Sequence, residues 1–254
     1  GASSGGGFGT ADGGGADGSS GGTSGGTSSG GTNCLAPVDM FIMFDRSGSM
    51  ARDKGNGVGD AKLDCNIGQN VESKWCRAIN ALSGYFKSAD SKDQAAALQF
   101  FPREGHKSAD CNTGDGYQTA VRPATDYQTL PSDVFDADLN AAKPDTGGGS
   151  PGTPTEGAIR GLTRFTDANR RGGRVTIGIL LTDGDPTNTN NFDCNTKLAD
   201  LSALLKAHHD ATQVRTYVIG MDGASDDNLE TIAEGGDAPL HPNDMPGIGK
   251  SCGN

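Results

Sequence analysis

The sequence predicts an α/β fold: a doubly wound, mostly parallel sheet flanked by helices. Two observations carry this expectation. Short runs of nearly continuous apolar residues, the pattern of strands covered on both faces, alternate with segments whose apolar residues recur at helical spacing. Alternation of that kind implies right-handed crossovers between parallel strands.

The elements follow in order. VDMFIMF at 38–44 is apolar at nearly every position, so it reads as the first strand. Residues 51–71 are Gly-rich, polar and aperiodic, which makes them a long loop. Trp75, Ile79, Leu82 and Phe86 then mark a helix over 72–89, and AAALQFF at 95–101 is the second strand. A Cys- and Gly-containing turn is expected at 110–116. YQTAVRPA at 117–124 reads as a short strand, which Pro123 assigns to an edge, in a hairpin with the second strand. A helix over 132–142 and a Gly/Pro loop at 144–154 lead to Ile159, Leu162 and Phe165, which mark a helix over 155–169. RVTIGILL at 174–181 is the clearest core strand. Leu198, Leu201, Leu205 and His208 line one face of a helix over 196–209, QVRTYVIG at 213–220 is another strand, and 225–234 is a short helix.

Composition sets the boundaries. Of 254 residues, 41 are Gly, and 26 of the first 33 are Gly, Ser or Thr. Such a stretch buries too little apolar surface to offset its ordering entropy, so 1–33 is expected to be a disordered tether reaching roughly 30 Å, and 34–254 a single domain. The formal net charge of −11 without a Lys/Arg cluster argues against nucleic acid and anionic lipid as partners. No apolar run is long enough to cross a membrane. Cys34, Cys65, Cys76, Cys111, Cys194 and Cys252 contain no Cys-x-x-Cys pair, which favours disulfides in an oxidising compartment over zinc. The sequence starts at Gly1 without an apolar leader, so a secretion signal is expected to have been removed. Both features point to a secreted or cell-surface location.

In doubly wound sheets ligands bind at the carboxyl ends of the strands, so the informative residues are those just after strands. Asp45-Arg46-Ser47-Gly48-Ser49 follows the first strand, and alternate residues of an extended loop point the same way, which turns Asp45, Ser47 and Ser49 towards one place. Thr182-Asp183-Gly184-Asp185 follows the core strand, and Thr153 precedes the helix at 155. Five hard oxygen donors without His or Cys suit Mg²⁺, Ca²⁺ or Mn²⁺ rather than zinc. Neutral hydroxyls among them leave the ion's charge incompletely neutralised, open to an acidic group from a partner.

These residues resemble the von Willebrand factor A domain and its metal-ion-dependent adhesion site. The family motif Asp-x-Ser-x-Ser matches Asp45, Ser47 and Ser49, its separate Thr matches Thr153, and the Asp of its Thr-Asp-Gly turn matches Asp183. The resemblance covers about 34–236 and looks most like secreted bacterial members. It implies that Asp45, Ser47, Ser49 and Thr153 contact the metal directly or through water, and that Asp183 acts through water. It also implies a closing strand and helix after 225–234, for which DAPLHPNDMPGIGKSCGN has too few apolar residues; either the chain is cut short of them or the domain lacks them.

Other readings are weaker. Gly148-Gly149-Ser150-Pro151-Gly152 fits a hydrolase nucleophile elbow in letters, but Pro151 lacks the N–H that the oxyanion hole needs. His106, His208, His209 and His241 have no evident nucleophile partner, and no enzyme is expected. Residues 110–116 resemble a calcium loop without its later Glu, so a turn is preferred. Arg46 and Asp185 are the candidates for ligand binding: Arg46 either aids an acidic ligand or is simply exposed, and Asp185 either accepts a bond behind the metal residues or is a plain turn residue. Asp-Cys-Asn recurs at 64–66, 110–112 and 193–195, placing Cys65, Cys111 and Cys194 at the metal end with Cys76 nearby; two bridges are expected there, in any of three pairings, and Cys34 pairs with Cys252 at the opposite end. The function expected is an extracellular, metal-dependent adhesion module for a protein or matrix ligand. The alternatives are a structural subunit of a surface appendage that self-assembles, and an accessory domain of a larger secreted assembly.

Overall fold

A computed structural model describes residues 36–53, 65–122, 127–145, 152–188 and 194–238. The expected tether, Cys34 and Cys252 with their proposed bridge, and the tail after 238 lie outside the described residues.

The sheet is built around β1 (Val38–Asp45). It pairs in parallel with β2 (Ala95–Phe101) on one side and β5 (Val175–Thr182) on the other. β7 (Arg215–Gly220) extends the sheet parallel to β5, and β3 (Gln128–Thr129) closes the other edge antiparallel to β2, giving the order β3-β2-β1-β5-β7.

Alternation along β1 divides the core into two layers. Met40, Ile42 and Phe44 pack with Trp75, Ile79 and Phe86 of α1 (Lys74–Lys87) and with Leu139 of α3 (Asp136–Ala141). Phe41 and Met43 face the other way, onto Ile159, Leu162 and Phe165 of α4 (Thr155–Ala168) and onto Leu201 and Leu205 of α5 (Leu198–Thr212). α6 (Asp226–Gly235) adds Ile232 to that second layer. On β5 a Cβ at Gly178 would lie 2.5 Å from Leu162 Cδ2, so the glycine lets that side chain of α4 pack directly against the strand.

The expected edge strand at 117–124 is corrected. Residues 117–122 form no strand, and the antiparallel edge is β3 instead. The reason is side-chain competition. Gln99 Nε2 donates to the Gly116 and Thr119 carbonyls at 3.3 and 2.6 Å, and the Tyr117 hydroxyl sits 2.8 Å from His106 Nδ1. Tyr117 itself is buried against α4, where a Cβ on Gly161 would come within 2.2 Å of its own Cβ. The expected turn at 110–116 begins in a short helix, α2 (Ser108–Thr113), whose Asp110 accepts from Lys107 N at 2.7 Å and pairs with Arg103, so that carboxylate caps the helix.

Candidate metal centre

β1 and β5 end side by side, with Phe44 opposite Leu181 in their register. Because α1 and α4 cover opposite faces of the sheet, the crevice beyond these two strand ends is the place where such folds bind ligands. Asp45 is the last residue of β1 and Asp183 the first after β5.

Asp45 is fully buried. Its Oδ1 accepts from Ser47 N at 2.7 Å, which curls the chain back after the strand, and its Oδ2 accepts from Thr182 Oγ1 at 2.6 Å. A 3₁₀ turn at Gly48–Ala51 then places Ser49 beside Ser47, with the two hydroxyl oxygens 3.0 Å apart. Ser49 Oγ donates to Asp183 Oδ1 at 2.8 Å, across a separation of 134 residues. Thr153 arrives from β4 (Gly152–Thr153), which pairs antiparallel with β6 (Thr187–Asn188), and its backbone N donates to Thr187 Oγ1 at 3.0 Å. A Cβ on Gly184 would lie 3.6 Å from Thr153 Oγ1 and 3.9 Å from Ser49 Oγ, so both hydroxyls face the same glycine. Asp45, Ser47, Ser49, Thr153 and Asp183 therefore surround one point at the end of the sheet.

The electrostatics are unbalanced at Asp45. Burial first, and then the facing Asp183 carboxylate, push its carboxyl up to about 7, while the bonds from Thr182 and Ser47 act in the opposite direction. The set has the chemistry for a hard divalent ion: carboxylates and hydroxyls only, with the Thr153 hydroxyl lacking a hydrogen-bond partner among the described residues.

Two disulfides hold the arms of this site, and they resolve the open pairing. Cys65–Cys76 pins the loop after β1 to the first turns of α1, and Cys111–Cys194 ties α2 to the segment before α5. Asn188 of β6 bonds both backbone groups of Cys194, at 2.6 and 3.1 Å, so the second bridge steadies the small ladder that carries Thr153.

The two rim candidates lie apart from the oxygen cluster. Arg46 Nε donates to the Pro102 carbonyl at 2.7 Å and Nη1 to Lys143 O at 3.4 Å, which directs its guanidinium towards the loop after β2. Asp185 Oδ1 accepts from Ser225 N at 3.4 Å, ahead of α6. Sequence reasoning missed two residues that matter. Thr182 orients Asp45, a role foreshadowed by its position at the end of the core strand. Lys74, buried at the start of α1, places its ammonium on Asp183 Oδ2, and nothing in the local sequence pattern signals that contact.

A doubly wound sheet with an oxygen-lined crevice at its central strand ends defines a class of α/β binding domain. The chain belongs to the von Willebrand factor type A family, whose model matches residues 39–244. Domains of this family are generally interaction modules rather than enzymes. No curated protein matches the chain. Among solved structures it is similar to proximal thread matrix protein 1 from the mussel byssus, with 15% identity and a TM-score of 0.46. That match covers 79% of this chain and 42% of the other. Among the described residues no helix is long and apolar enough to cross a membrane, and the two disulfides fit an oxidising, extracellular setting.

Proposed function

We propose that this protein is an extracellular, metal-dependent binding module of the secreted bacterial type, which captures an acidic group of a protein or matrix partner. Asp45, Ser47, Ser49, Thr153 and Asp183 would hold the ion, Mg²⁺ first, with Ca²⁺ and Mn²⁺ as alternatives. The observation that carries the reading is the state of Asp45: a fully buried carboxylate, raised to about 7, facing another carboxylate beside three hydroxyls. A cation relieves that repulsion, and a buried structural aspartate would gain nothing from it.

A bound divalent ion would supply a Lewis-acidic position for one oxygen of the partner's carboxylate. The chain's own residues do the rest. Thr182 and Ser47 N hold Asp45 in a fixed orientation, and Ser49 links the β1 loop to Asp183. The β4–β6 ladder fixes Thr153, so the donors are set before any ion arrives. Arg46 retains guanidinium donors beyond those given to Pro102 and Lys143, and with Asp185 it would meet the partner at the rim.

Thermal melts with millimolar Mg²⁺, Mn²⁺ or Ca²⁺ test the proposal. Ion binding to the native state alone should stabilise it by RT ln(1 + [L]/Kd) and so raise the melting temperature, and Ser47→Ala/Ser49→Ala should remove the shift. A wild-type protein whose melt is unchanged by every cation, and which self-associates equally in chelator, would support the assembly reading instead.

A further inference from the structure

Lys74 is placed where a lysine is disfavoured on two counts. It is the first residue of α1, so its positive charge opposes the helix dipole, and its side chain is 1% exposed although lysines are almost never fully buried without a partner. Its position is nonetheless firmly set. Lys74 N donates to Arg52 O at 2.9 Å, Ser73 caps the helix by accepting from Cys76 N at 3.1 Å, and the Cys65–Cys76 bridge follows two residues on.

From there the ammonium contacts Asp183 Oδ2 and donates to the Asp222 carbonyl at 2.9 Å. The Asp183 carboxylate is thus divided. Oδ1 accepts from Ser49 on the side of the hydroxyl cluster, and Oδ2 faces the lysine.

We propose that Lys74 is a resident counter-cation of the metal centre, sharing Asp183 with the divalent ion and lowering the site's affinity for it. This rests on the reading that the five oxygen-bearing residues take a cation. Two carboxylates with one ammonium carry a single negative charge, and a divalent ion turns that into a single positive charge. The same donors without the lysine would be neutral when loaded. The lysine therefore trades ion affinity for a loaded site that attracts an anionic partner group.

The test uses the full chain and its Lys74→Met and Lys74→Gln variants, with Mn²⁺ affinity measured by calorimetry and melts recorded in chelator. Removing a unit charge a few ångströms from a divalent ion, even with the screening of bulk water at a dielectric of about 80, should tighten Mn²⁺ binding by about tenfold or more. In chelator both variants should melt below wild type, because Asp183 has lost its ammonium. If a variant folds only with Mn²⁺, recovery at concentrations below the wild-type Kd supports the proposal, and failure to recover at any concentration overturns it. Mn²⁺ affinity equal to or weaker than wild type also overturns it, leaving Lys74 as a structural partner of Asp183. Failure of wild type and both variants to bind any divalent cation is a separate signature, and it removes the metal-dependent reading together with this one.

Discussion

The two ends of β1 each bury an aspartate completely, and the two are treated in opposite ways. Asp39, near the amino end, receives bonds from Arg171 Nε at 2.7 Å and from Arg174, so two guanidinium groups surround one carboxylate. Asp45, at the carboxyl end, receives a hydroxyl and a backbone N–H and faces a second carboxylate. The same strand carries one acid whose charge is answered within the fold and one whose charge is left over. Burial alone therefore does not tell a carboxylate whose charge is answered within the fold from one whose charge is not; the surrounding charge does.

Breaking the satisfied end should have the largest effect on stability. Asp39→Asn leaves Arg171 and Arg174 without their carboxylate. The expected loss is about 3 kcal/mol, at the low end for a broken buried pair because both arginines retain access to water. Denaturant titration measures it, and Mn²⁺ affinity should stay within about twofold, since this end is remote from the metal centre. A comparable loss of ion binding would mean that the two ends are coupled.

Asp45→Asn should act in the opposite sense. It removes the repulsion with Asp183, and Thr182 Oγ1 has an alternative acceptor in Gly184 O at 3.2 Å. In chelator at pH 8 the variant should be more stable than wild type by about 1–2 kcal/mol, with metal-induced stabilisation lost. The sign of the pH dependence follows from the raised carboxyl. The folded state binds the Asp45 proton more tightly than the unfolded chain does, where an aspartate titrates near about 3.9. Stability gained from that proton is complete below about pH 4 and fades as pH rises to about 7. The advantage of Asp45→Asn over wild type should accordingly grow across that window and level off above it. Wild-type ion affinity should fall by about tenfold for each unit below pH 7, as the proton and the ion compete for one carboxylate. A constant difference between the two proteins from pH 4 to 8 would show that Asp45 is not under charge strain.

Much of this architecture is written into local pattern. The apolar runs at 38–44 and 95–101 specify strands because each is buried on both faces, the run at 174–181 specifies one buried throughout on a single face, and the Asp-x-Ser-x-Ser turn sits directly after the first of them. The edge was not legible in the same way. Residues 117–122 have strand-like composition, but Gln99, Arg103 and His106 take their polar groups, and only the tertiary structure brings those side chains together. Lys74 is the sharper case. Its helix is predicted from Trp75, Ile79, Leu82 and Phe86, whereas its contact with Asp183 spans more than a hundred residues and leaves no periodic trace. The cysteine pairing was similarly open until the loops were placed.

The smallest expected effect on stability separates two buried threonines at the same site. Thr182 donates to Asp45 Oδ2 and accepts from Gly184 N at 3.3 Å, so Thr182→Val removes bonds that the fold uses, at a cost of about 1–3 kcal/mol. Thr153 is buried to a similar degree, but its hydroxyl bonds nothing among the described residues. Its backbone holds it in place: N donates to Thr187 Oγ1, and O accepts from Thr155 Oγ1 at 3.2 Å. Thr153→Val keeps both bonds and the side-chain shape, so stability in chelator should change by less than about 0.5 kcal/mol. Ion affinity should nevertheless fall, because the lost oxygen is one that only the ion would use in the proposed donor set. Calorimetry with Mn²⁺ alongside denaturant titration in chelator makes the comparison. Unchanged Mn²⁺ affinity in Thr153→Val would remove Thr153 from the donor set, and a large loss of stability would show that its hydroxyl serves the fold instead.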